Sequence, residues 1–318
     1  MPQKTPSSPK VAIIGAGAVG STAAYATTIK NVASEVILID INDSKEEGEV
    51  MDIADGLCFV ETGCIKGADF KDARDADVIV ITAGVPQKEG ETRLDLVNKN
   101  IKITKSIFKS IGKLKKDTIV IMVANPVDIL TRIVQQITKL PKGQVFGSGT
   151  SLDTARLRTE LGHELKVSPQ NIDGYVIGEH GDTEFVCWSN AYVGSKPLMD
   201  VIESMTELKL SDLEEIHNDV KNAAYEIIKR KNATYYGIGM TLVSITSAII
   251  NNDNRIVPIS VYNNGIYDIE KDLYIGLPAV LNSNGVHHVV KIKLNEKENE
   301  QLLHSAKVLK DILKQMKF

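Results

Sequence analysis

One histidine of this chain stands where a proton could be transferred. The segment from 171 to 183 reads NIDGYVIGEHGDT, so a short apolar strand runs into a tight glycine loop that holds His180 between small and acidic residues. Such a loop directs its side chains towards a cleft, and a histidine there can donate and accept a proton near neutral pH. Taken alone, a histidine of this kind is structural as often as it is catalytic.

A glycine-rich turn near the start of the chain has the spacing of a dinucleotide-binding site. It follows the apolar strand VAII directly and opens a helix, whose free N–H groups attract phosphate. Asp40 ends the second apolar strand, where a carboxylate accepts hydrogen bonds from a ribose diol and repels a 2′-phosphate. The pattern predicts NAD rather than NADP as the cofactor. The residues of the turn are Gly15, Ala16, Gly17, Ala18, Val19 and Gly20.

The elements that must position these residues alternate between apolar runs and helical stretches. Runs that are apolar at every position are typical of strands buried on both faces, as in a parallel sheet covered by helices. Helices are predicted between them, for example at 43–57 and 94–114. This alternation predicts an α/β fold with an N-terminal doubly wound parallel (Rossmann) sheet. The runs are VAII (11–14), EVILI (35–39), ADVIVI (76–81) and TIVIMV (118–123).

The second half of the chain has a different pattern, which predicts an α+β substrate domain. Turn signals such as NNG and NSNG separate its strands and indicate antiparallel hairpins. We therefore divide the chain into a flexible tail (1–9), an NAD-binding Rossmann domain (10–148) and a substrate domain (149–318). Helices are predicted at 151–166, 211–231, 233–250 and 296–315, and strands at 172–178, 185–193, 255–263, 274–282 and 286–294.

Composition excludes several classes of function. The 318 residues carry a net charge of −4, which argues against a nucleic-acid or membrane-surface partner because both need a basic face. No apolar run is long enough to span a bilayer, and the start of the chain lacks the apolar core of a signal peptide. The three cysteines have neither metal nor disulfide spacing. We expect a cytoplasmic protein without a metal site.

Six motifs in the chain resemble those of the NAD-dependent L-lactate/L-malate dehydrogenase family, in the same order and spacing. The resemblance covers essentially the whole chain from Lys10 onwards, and it implies hydride transfer between NAD and a 2-hydroxy acid in a homo-oligomer, which we expect to be a tetramer. It also implies that Thr82, Ala83, Gly84, Val123 and Asn125 contact the cofactor. The motifs are GAGAVG, TAGVPQKEGETRLDLV (82–97), VANPVDILT (123–131), GSGTSLDTARLR (147–158), IGEHGD (177–182) and KNATYYGIG (231–239).

The resemblance also assigns roles in catalysis. His180 matches the proton donor and Asp153 the carboxylate that pairs with it, although an aspartate at a helix start is by itself more often a dipole partner. Arg156 matches the anchor for the substrate carboxylate, which a guanidinium binds through two parallel hydrogen bonds. Arg93, at the end of the loop 82–93 that could close as a lid, matches the arginine that polarises the carbonyl. Asn125 would bind the reacting oxygen or the nicotinamide ribose, and Asp128 is expected to serve as a helix-start residue.

The identity of the substrate depends on the lid residue Gln87. In the family this position is glutamine in lactate dehydrogenases and arginine in malate dehydrogenases, because the second carboxylate of oxaloacetate needs a cation in a dry site. Glu89 would oppose a dicarboxylate, whereas Lys88 would supply a cation if the register shifted by one residue. Thr234 matches the small polar residue at the far end of the substrate. We therefore expect pyruvate, with malate dehydrogenase or a broad 2-hydroxy acid dehydrogenase as the alternative.

Two readings from other classes stay open, together with one departure from the family. An NAD-using glycosidase would need a metal held by Cys and His, and a catalytically silent NAD-binding scaffold would not need the full set of charged residues. Some bacterial relatives are activated by fructose 1,6-bisphosphate through an arginine that matches Arg158 and a histidine that Asp173 replaces. An aspartate there repels phosphate and could pair with Arg158, so we expect no activation.

Overall fold

The computed structural model describes residues 8–61, 63–86, 90, 92–205 and 208–316. Most of the predicted tail (1–9) and the lid residues Gln87, Lys88 and Glu89 lie outside the described residues.

Six parallel strands form the half of the main sheet that the apolar runs predict. Their order is β3-β2-β1-β4-β5-β6, which is the Rossmann order, and β1 pairs with both β2 and β4. The topological switch point therefore lies between β1 and β4, where such sheets bind their ligands. The strands are β1 (Lys10–Ile14), β2 (Glu35–Ile39), β3 (Ile65–Gly67), β4 (Val78–Ile81), β5 (Ile119–Met122) and β6 (Val145–Gly147).

Three antiparallel strands from the second half of the chain extend the same sheet to nine strands. They are β12 (Arg255–Asn263), β13 (Leu273–Asn282) and β14 (Gly285–Val289), and β12 pairs with β6 through Ser260 and Gly147. A Cβ on Gly147 would lie 2.6 Å from the Thr131 hydroxyl and 2.9 Å from the Ser260 Cβ. Only a glycine allows β6 to approach this closely. Because β6 pairs with β12 here, the two halves of the chain share one continuous sheet.

Two small sheets and nine helices complete the part of the chain that the structure describes. The small sheets are β11-β10-β7 and β8-β9, and they lie over a second apolar cluster that includes Leu157, Leu161 and Leu213. Their strands are β7 (Ile172–Asp173), β8 (Val176–Ile177), β9 (Phe185–Val186), β10 (Tyr192–Val193) and β11 (Lys196–Pro197). The helices are α1 (Ala18–Ile29), α2 (Asp43–Asp55), α3 (Arg93–Ile111), α4 (Val127–Thr138), α5 (Ser151–Leu165), α6 (Leu198–Met205), α7 (Asp212–Lys231), α8 (Tyr236–Ile250) and α9 (Glu296–Gln315).

Two of the predicted strands are broken, and one predicted helix begins later than expected. The segment 172–178 contains β7 and β8 separated by Gly174 and Tyr175, and the segment 185–193 is interrupted by a 3-10 turn at Trp188–Asn190. The helix predicted at 233–250 begins at Tyr236, so Thr234 lies in the connection between α7 and α8. The predicted antiparallel hairpins are confirmed by β12, β13 and β14.

No helix among the described residues is both long and apolar enough to cross a membrane. The three cysteines are free, Cys187 being buried and the other two exposed.

Candidate active site

A crevice lies at the carboxyl ends of β1, β2 and β4, above the glycine-rich turn. It has a volume of about 560 Å³ and is lined by Gly15, Gly17, Asp40, Thr82 and Ala83, together with apolar side chains and the polar residues Lys45, Ser106 and Ser110. A Cβ on Gly20 would lie 1.7 Å from the Gly15 carbonyl oxygen, so α1 can pack against the turn only with glycine there. A Cβ on Gly17 would meet no heavy atom within 4 Å among the described residues. This open space at the start of α1 fits the approach of a pyrophosphate.

Asp40 is fixed at the edge of this crevice by the protein backbone. Its carboxylate accepts hydrogen bonds from the Ala16 N–H at 2.6 Å and from the Asn42 N–H at 3.0 Å. Glu46 accepts the Asp40 N–H and so holds the end of β2 from the other side. A carboxylate fixed there suits the ribose hydroxyls of NAD, as the sequence predicts.

Two further loops are tied together beside the crevice. Asn100, which is buried within α3, accepts the Val85 N–H at 2.9 Å and donates to the Asn125 carbonyl at 2.7 Å. The loop after β4 and the loop after β5 are therefore held by one side chain. The Thr82 hydroxyl donates to the carbonyls of Ile14 and Gly15 and stabilises the glycine turn. Asn125 lies two residues before α4 and is exposed. A ligand could therefore reach its side chain.

The loop that carries His180 is held from three directions. Gly178 exchanges two backbone hydrogen bonds with Gly276 of β13, at 3.0 and 2.8 Å. The Ser305 hydroxyl of α9 accepts the Glu179 N–H. Asp128, in the first turn of α4, accepts the His180 N–H at 3.0 Å. These contacts fix the backbone of the loop and leave the His180 side chain 26% exposed, so a ligand can reach the ring.

His180, Asp153 and Arg156 form one hydrogen-bonded chain. Asp153 lies in the first turn of α5, and its Oδ2 is 2.8 Å from His180 Nδ1. Its Oδ1 accepts a hydrogen bond of 2.8 Å from Arg156 Nη1, three residues further along the same helix face. A carboxylate on Nδ1 leaves Nε2 as the nitrogen that can exchange a proton with a ligand.

The charges around this chain favour the protonated form of His180. Burial alone would lower the pKa of His180, but the Asp153 charge and hydrogen bond, with a further contribution from Glu184, raise that pKa well above 6.5. Burial opposes the ionisation of Asp153, but the His180 and Arg156 charges lower the pKa of Asp153 below its usual value. The site is therefore arranged to hold an imidazolium against a carboxylate.

Asp128 starts α4 as the sequence predicts, and it also positions His180. Asp128 is 2% exposed, and burial raises the pKa of Asp128 to about 6, although Ser260 and His180 act in the opposite direction. A helix-start aspartate that is exposed has no such shift imposed by burial. The contact with the His180 amide lies across 52 residues of sequence, so the motif NPVD alone could not reveal it.

Glu184 is a second carboxylate at the same imidazole, and no motif in the sequence predicted it. Its Oε2 lies 3.7 Å from His180 Nδ1, and its side chain is 4% exposed. Asp153, His180 and Glu184 place their possible ligand atoms within 4.8 Å of one another, a spacing that could also hold a cation. Arg156 already binds the other oxygen of Asp153, and its guanidinium would repel a divalent ion there. The geometry therefore suits proton transfer better than metal binding.

The structure places the other predicted residues as follows. Arg93 is the first residue of α3, after the capping residue Thr92, at the end of the lid loop. Gln87 lies outside the described residues. The sequence suggested that Arg158 could pair with Asp173, but the described residues show no ion pair between them. Instead, Arg158 Nε donates to the Gly174 carbonyl, and the guanidinium lies over the Tyr175 ring at 5.5 Å.

Three residues that the sequence reading did not assign to the site belong to it, namely Asn100, Asp128 in its second role and Glu184. A signal existed for Asn100, because it falls on the buried face of α3 between Leu96, Val97, Ile101 and Thr104, where an amide is unexpected. For Glu184 the only signal is its spacing of four residues from His180 in an irregular loop, which does not specify a contact.

Comparison with known proteins gives one consistent result. Residues 9–147 match the NAD binding domain of lactate/malate dehydrogenase, and residues 150–318 match its alpha/beta C-terminal domain. The L-lactate dehydrogenase of Geobacillus sp. (strain WCH70) is 48% identical over 96% of this chain and 95% of that protein. L-lactate dehydrogenase 2 of Bacillus anthracis is 47% identical over 96% of this chain and 97% of that protein.

Solved structures agree with this result. MGS-M5, a lactate dehydrogenase enzyme from a Medee basin deep-sea metagenome library, superimposes with a TM-score of 0.93 at 53% identity over 96% of this chain and 98% of that one. The minor L-lactate dehydrogenase from Enterococcus mundtii, in its ligands-bound form, gives a TM-score of 0.94 at 42% identity over 98% of this chain and 99% of that one.

Proposed function

This chain belongs to the lactate/malate dehydrogenase family, and we propose that it is an L-lactate dehydrogenase that interconverts pyruvate and L-lactate. Its cofactor is NAD, which the family's N-terminal domain binds. The observation that carries the proposal is the sharing of Asp153 between His180 and Arg156, which sets a proton donor beside a group that can bind a substrate carboxylate. The names of the similar proteins support lactate rather than malate as the substrate.

The reaction is pyruvate + NADH + H⁺ ⇌ lactate + NAD⁺. Bound NADH supplies the hydride that reduces the carbonyl carbon. Arg156 has five N–H donors, so its guanidinium can hold the substrate carboxylate while Nη1 stays on Asp153. His180 gives the proton on Nε2 to the carbonyl oxygen, which becomes the hydroxyl of lactate. Asp153 keeps the other ring proton on Nδ1 and stabilises the imidazolium before transfer.

The same groups act in reverse when lactate is oxidised. Neutral His180 then accepts the hydroxyl proton at Nε2, and Asp153 becomes the charge that stabilises the new imidazolium. Arg93 and Asn125 are the proposed contacts of the reacting oxygen, since Arg93 opens α3 at the end of the lid loop and Asn125 is exposed at the start of α4. We propose that Thr234, in the connection between α7 and α8, lines the far end of the substrate.

A substitution of His180 tests the assignment directly. We expect His180→Asn to lower kcat for pyruvate by about 100- to 10,000-fold, because general acid catalysis is lost. His304→Asn is the matched control, since His304 is exposed on α9 and the change is chemically identical. Near-normal turnover of His180→Asn, or an equal loss in the control, would contradict the proposal.

The choice of substrate is tested at Gln87. We expect the native chain to prefer pyruvate to oxaloacetate in kcat/KM, and Gln87→Arg to shift this preference towards oxaloacetate by roughly 100-fold or more, because a buried carboxylate without a cation costs several kcal/mol. Phenylpyruvate measured alongside reports the tolerance for larger 2-oxo acids. A native preference for oxaloacetate would favour malate dehydrogenase instead.

We propose that the enzyme acts in the cytoplasm as a homo-oligomer, and more specifically as a homotetramer. Large apolar side chains on α1 and α8 are more than 45% exposed in the single chain, as expected of a face that another subunit covers. Sedimentation of the native protein should give a mass about four times 34.8 kDa. The exposed side chains are Tyr25, Ile29, Tyr236 and Met240.

A further inference from the structure

His180 has two carboxylates, not one, at the same ring nitrogen. Asp153 Oδ2 lies 2.8 Å from Nδ1 and Glu184 Oε2 lies 3.7 Å from it. Both acids are almost fully buried, with side chains 3% and 4% exposed. Arg156 binds Asp153 but has no contact of this kind with Glu184 among the described residues. Among the described residues, the cationic group paired with Glu184 is the His180 ring.

The net charge of the group depends on whether Glu184 is ionised. Asp153, Glu184 and Arg156 together carry one net negative charge, and a proton on His180 brings the group to neutrality. If Glu184 were neutral, the balance would already be reached with an uncharged imidazole. Buried charges without a partner are strongly unfavourable, so Glu184 favours retention of the proton on His180.

We propose that Glu184 is a positioning residue that acts together with Asp153 to hold the proton on His180, and that it thereby sets the pH range over which pyruvate reduction falls and lactate oxidation rises. The inference rests on the function proposed above and deepens it. Asp153 fixes the orientation of the ring through the short hydrogen bond, and Glu184 adds charge at a longer distance.

The remaining groups around the ring do not replace Glu184. From α4, Asp128 reaches the His180 backbone N–H rather than its ring. In the same loop, the Glu179 carboxylate accepts the Thr183 hydroxyl, and Asp182 is exposed.

From α7, His217 contacts the Glu184 backbone, and the charge of Lys221 adds to burial in lowering the pKa of His217, which keeps that ring neutral behind the loop. Lys221 donates to the Asp182 carbonyl.

The titration of Glu184 is linked to that of His180. Burial and the charge of Asp153 raise the pKa of Glu184, whereas the hydrogen bond and charge of His180 lower it. The Glu184 carboxylate is therefore ionised most easily when His180 is protonated. The two groups share protons as a coupled pair, so a change at one of them must appear in the titration of the other.

Glu184→Gln removes the charge and preserves the shape, and both directions of the reaction can be measured. Loss of a buried charge at this distance should lower the pKa of His180 by roughly 1 unit. Pyruvate reduction needs the imidazolium, so its alkaline limb in kcat/KM should move to lower pH. Lactate oxidation needs the neutral ring, so its acid limb should move to lower pH by the same amount. A purely structural role would lower both rates and move neither limb.

Two further variants complete the test. Asp182→Asn removes the same charge from the same loop, but water screens this exposed group, so both limbs should stay in place. Glu184→Ala removes the charge without placing an amide N–H against the ring, and it should move both limbs in the same direction as Glu184→Gln. Thermal unfolding and native mass identify any variant that fails to assemble, and either Glu184 variant then suffices.

The outcomes separate the two proposals. If the native enzyme titrates in both directions and both Glu184 variants, or the one that assembles, leave the limbs in place, this inference is overturned while the proposed function stands. If the native enzyme shows neither pyruvate reduction nor lactate oxidation, the proposed function itself fails. Opposite movement of the two limbs would also overturn the inference, because one shifted pKa must move them together.

Discussion

The substitution Asp128→Asn should stabilise the folded protein relative to the native protein, and this difference in stability should increase as the pH rises. The Asp128 carboxylate is buried with the His180 N–H as its backbone partner, and burial raises the pKa of Asp128 from 3.8 to about 6. The folded state therefore binds this proton more tightly than the unfolded state. The resulting contribution to stability is complete below about pH 4 and is lost as the pH rises through about 6.

The magnitude follows from the shift. A change from 3.8 to about 6 is about two pKa units, and each unit corresponds to about 1.4 kcal/mol, so the ionised carboxylate costs the folded state about 3 kcal/mol at neutral pH. An asparagine keeps an oxygen that can accept the His180 N–H and never ionises. Relative to the native protein, Asp128→Asn should gain about half of this difference by about pH 5 and nearly all of it by about pH 8.

Equilibrium unfolding in urea measures the difference, with both proteins at one concentration because subunit association contributes to stability. Asp212→Asn is the control, since Asp212 also lies at a helix start but is only partly buried, and its hydrogen bonds to Lys209 and Ser211 lower the pKa of Asp212. The ionised Asp212 carboxylate stabilises the folded state above its usual pKa, so Asp212→Asn should be less stable than the native protein at neutral pH. A constant difference across the pH range for Asp128→Asn would refute the reasoning.

Three other predictions concern ligands of the site. Asp40→Ser should raise KM for NADH and improve kcat/KM for NADPH, because the carboxylate that binds the ribose and repels the 2′-phosphate is removed. The ratio of kcat/KM for NADPH to kcat/KM for NADH should rise by about 10-fold or more, which initial rates with both cofactors check. Dialysis against EDTA should leave pyruvate reduction unchanged, because the Arg156 guanidinium lies beside the three-residue cluster; a loss that Zn²⁺ restores would show a metal site instead. Fructose 1,6-bisphosphate should not lower KM for pyruvate, since Asp173 adds a negative charge near Arg158, and a marked fall would show that the two phosphates are accommodated.

The parallel core of the fold could be predicted because its strands are buried on both faces. β1, β2, β4 and β5 are apolar at nearly every position, and the structure buries them accordingly. β3 and β6 are three residues long, too short for any pattern to show. The broken segments at 172–178 and 185–193 contain many apolar residues, but the backbone of each segment pairs with three different partners, which a period of two along the sequence cannot encode.

The site divides in the same way. The pairing of His180 with Asp153 crosses 27 residues, and the motifs suggested it only because they resemble those of a known family. Glu184 and Asn100 act through burial and through partners on other elements, so their roles appear only once the loop from β8 to β9 and the face of α3 are in place. Residue types and spacing therefore predicted the acid–base chemistry of His180, whereas Glu184 and Asn100 could be identified only from the folded structure.

Asp128 and Asp153 show how far the surroundings decide the state of a side chain. Both are aspartates in the first turn of a helix, both are 2% exposed, and both contact His180. Asp153 faces the Arg156 guanidinium and the His180 ring, and these two charges lower the pKa of Asp153. Asp128 faces an amide N–H, and its pKa rises to about 6. Both carboxylates lie at the positive end of a helix, so the difference follows from the stronger cationic partners of Asp153. Among the residues that the structure describes, the cation paired with Glu184 is His180, so Glu184 is ionised most easily when His180 is protonated.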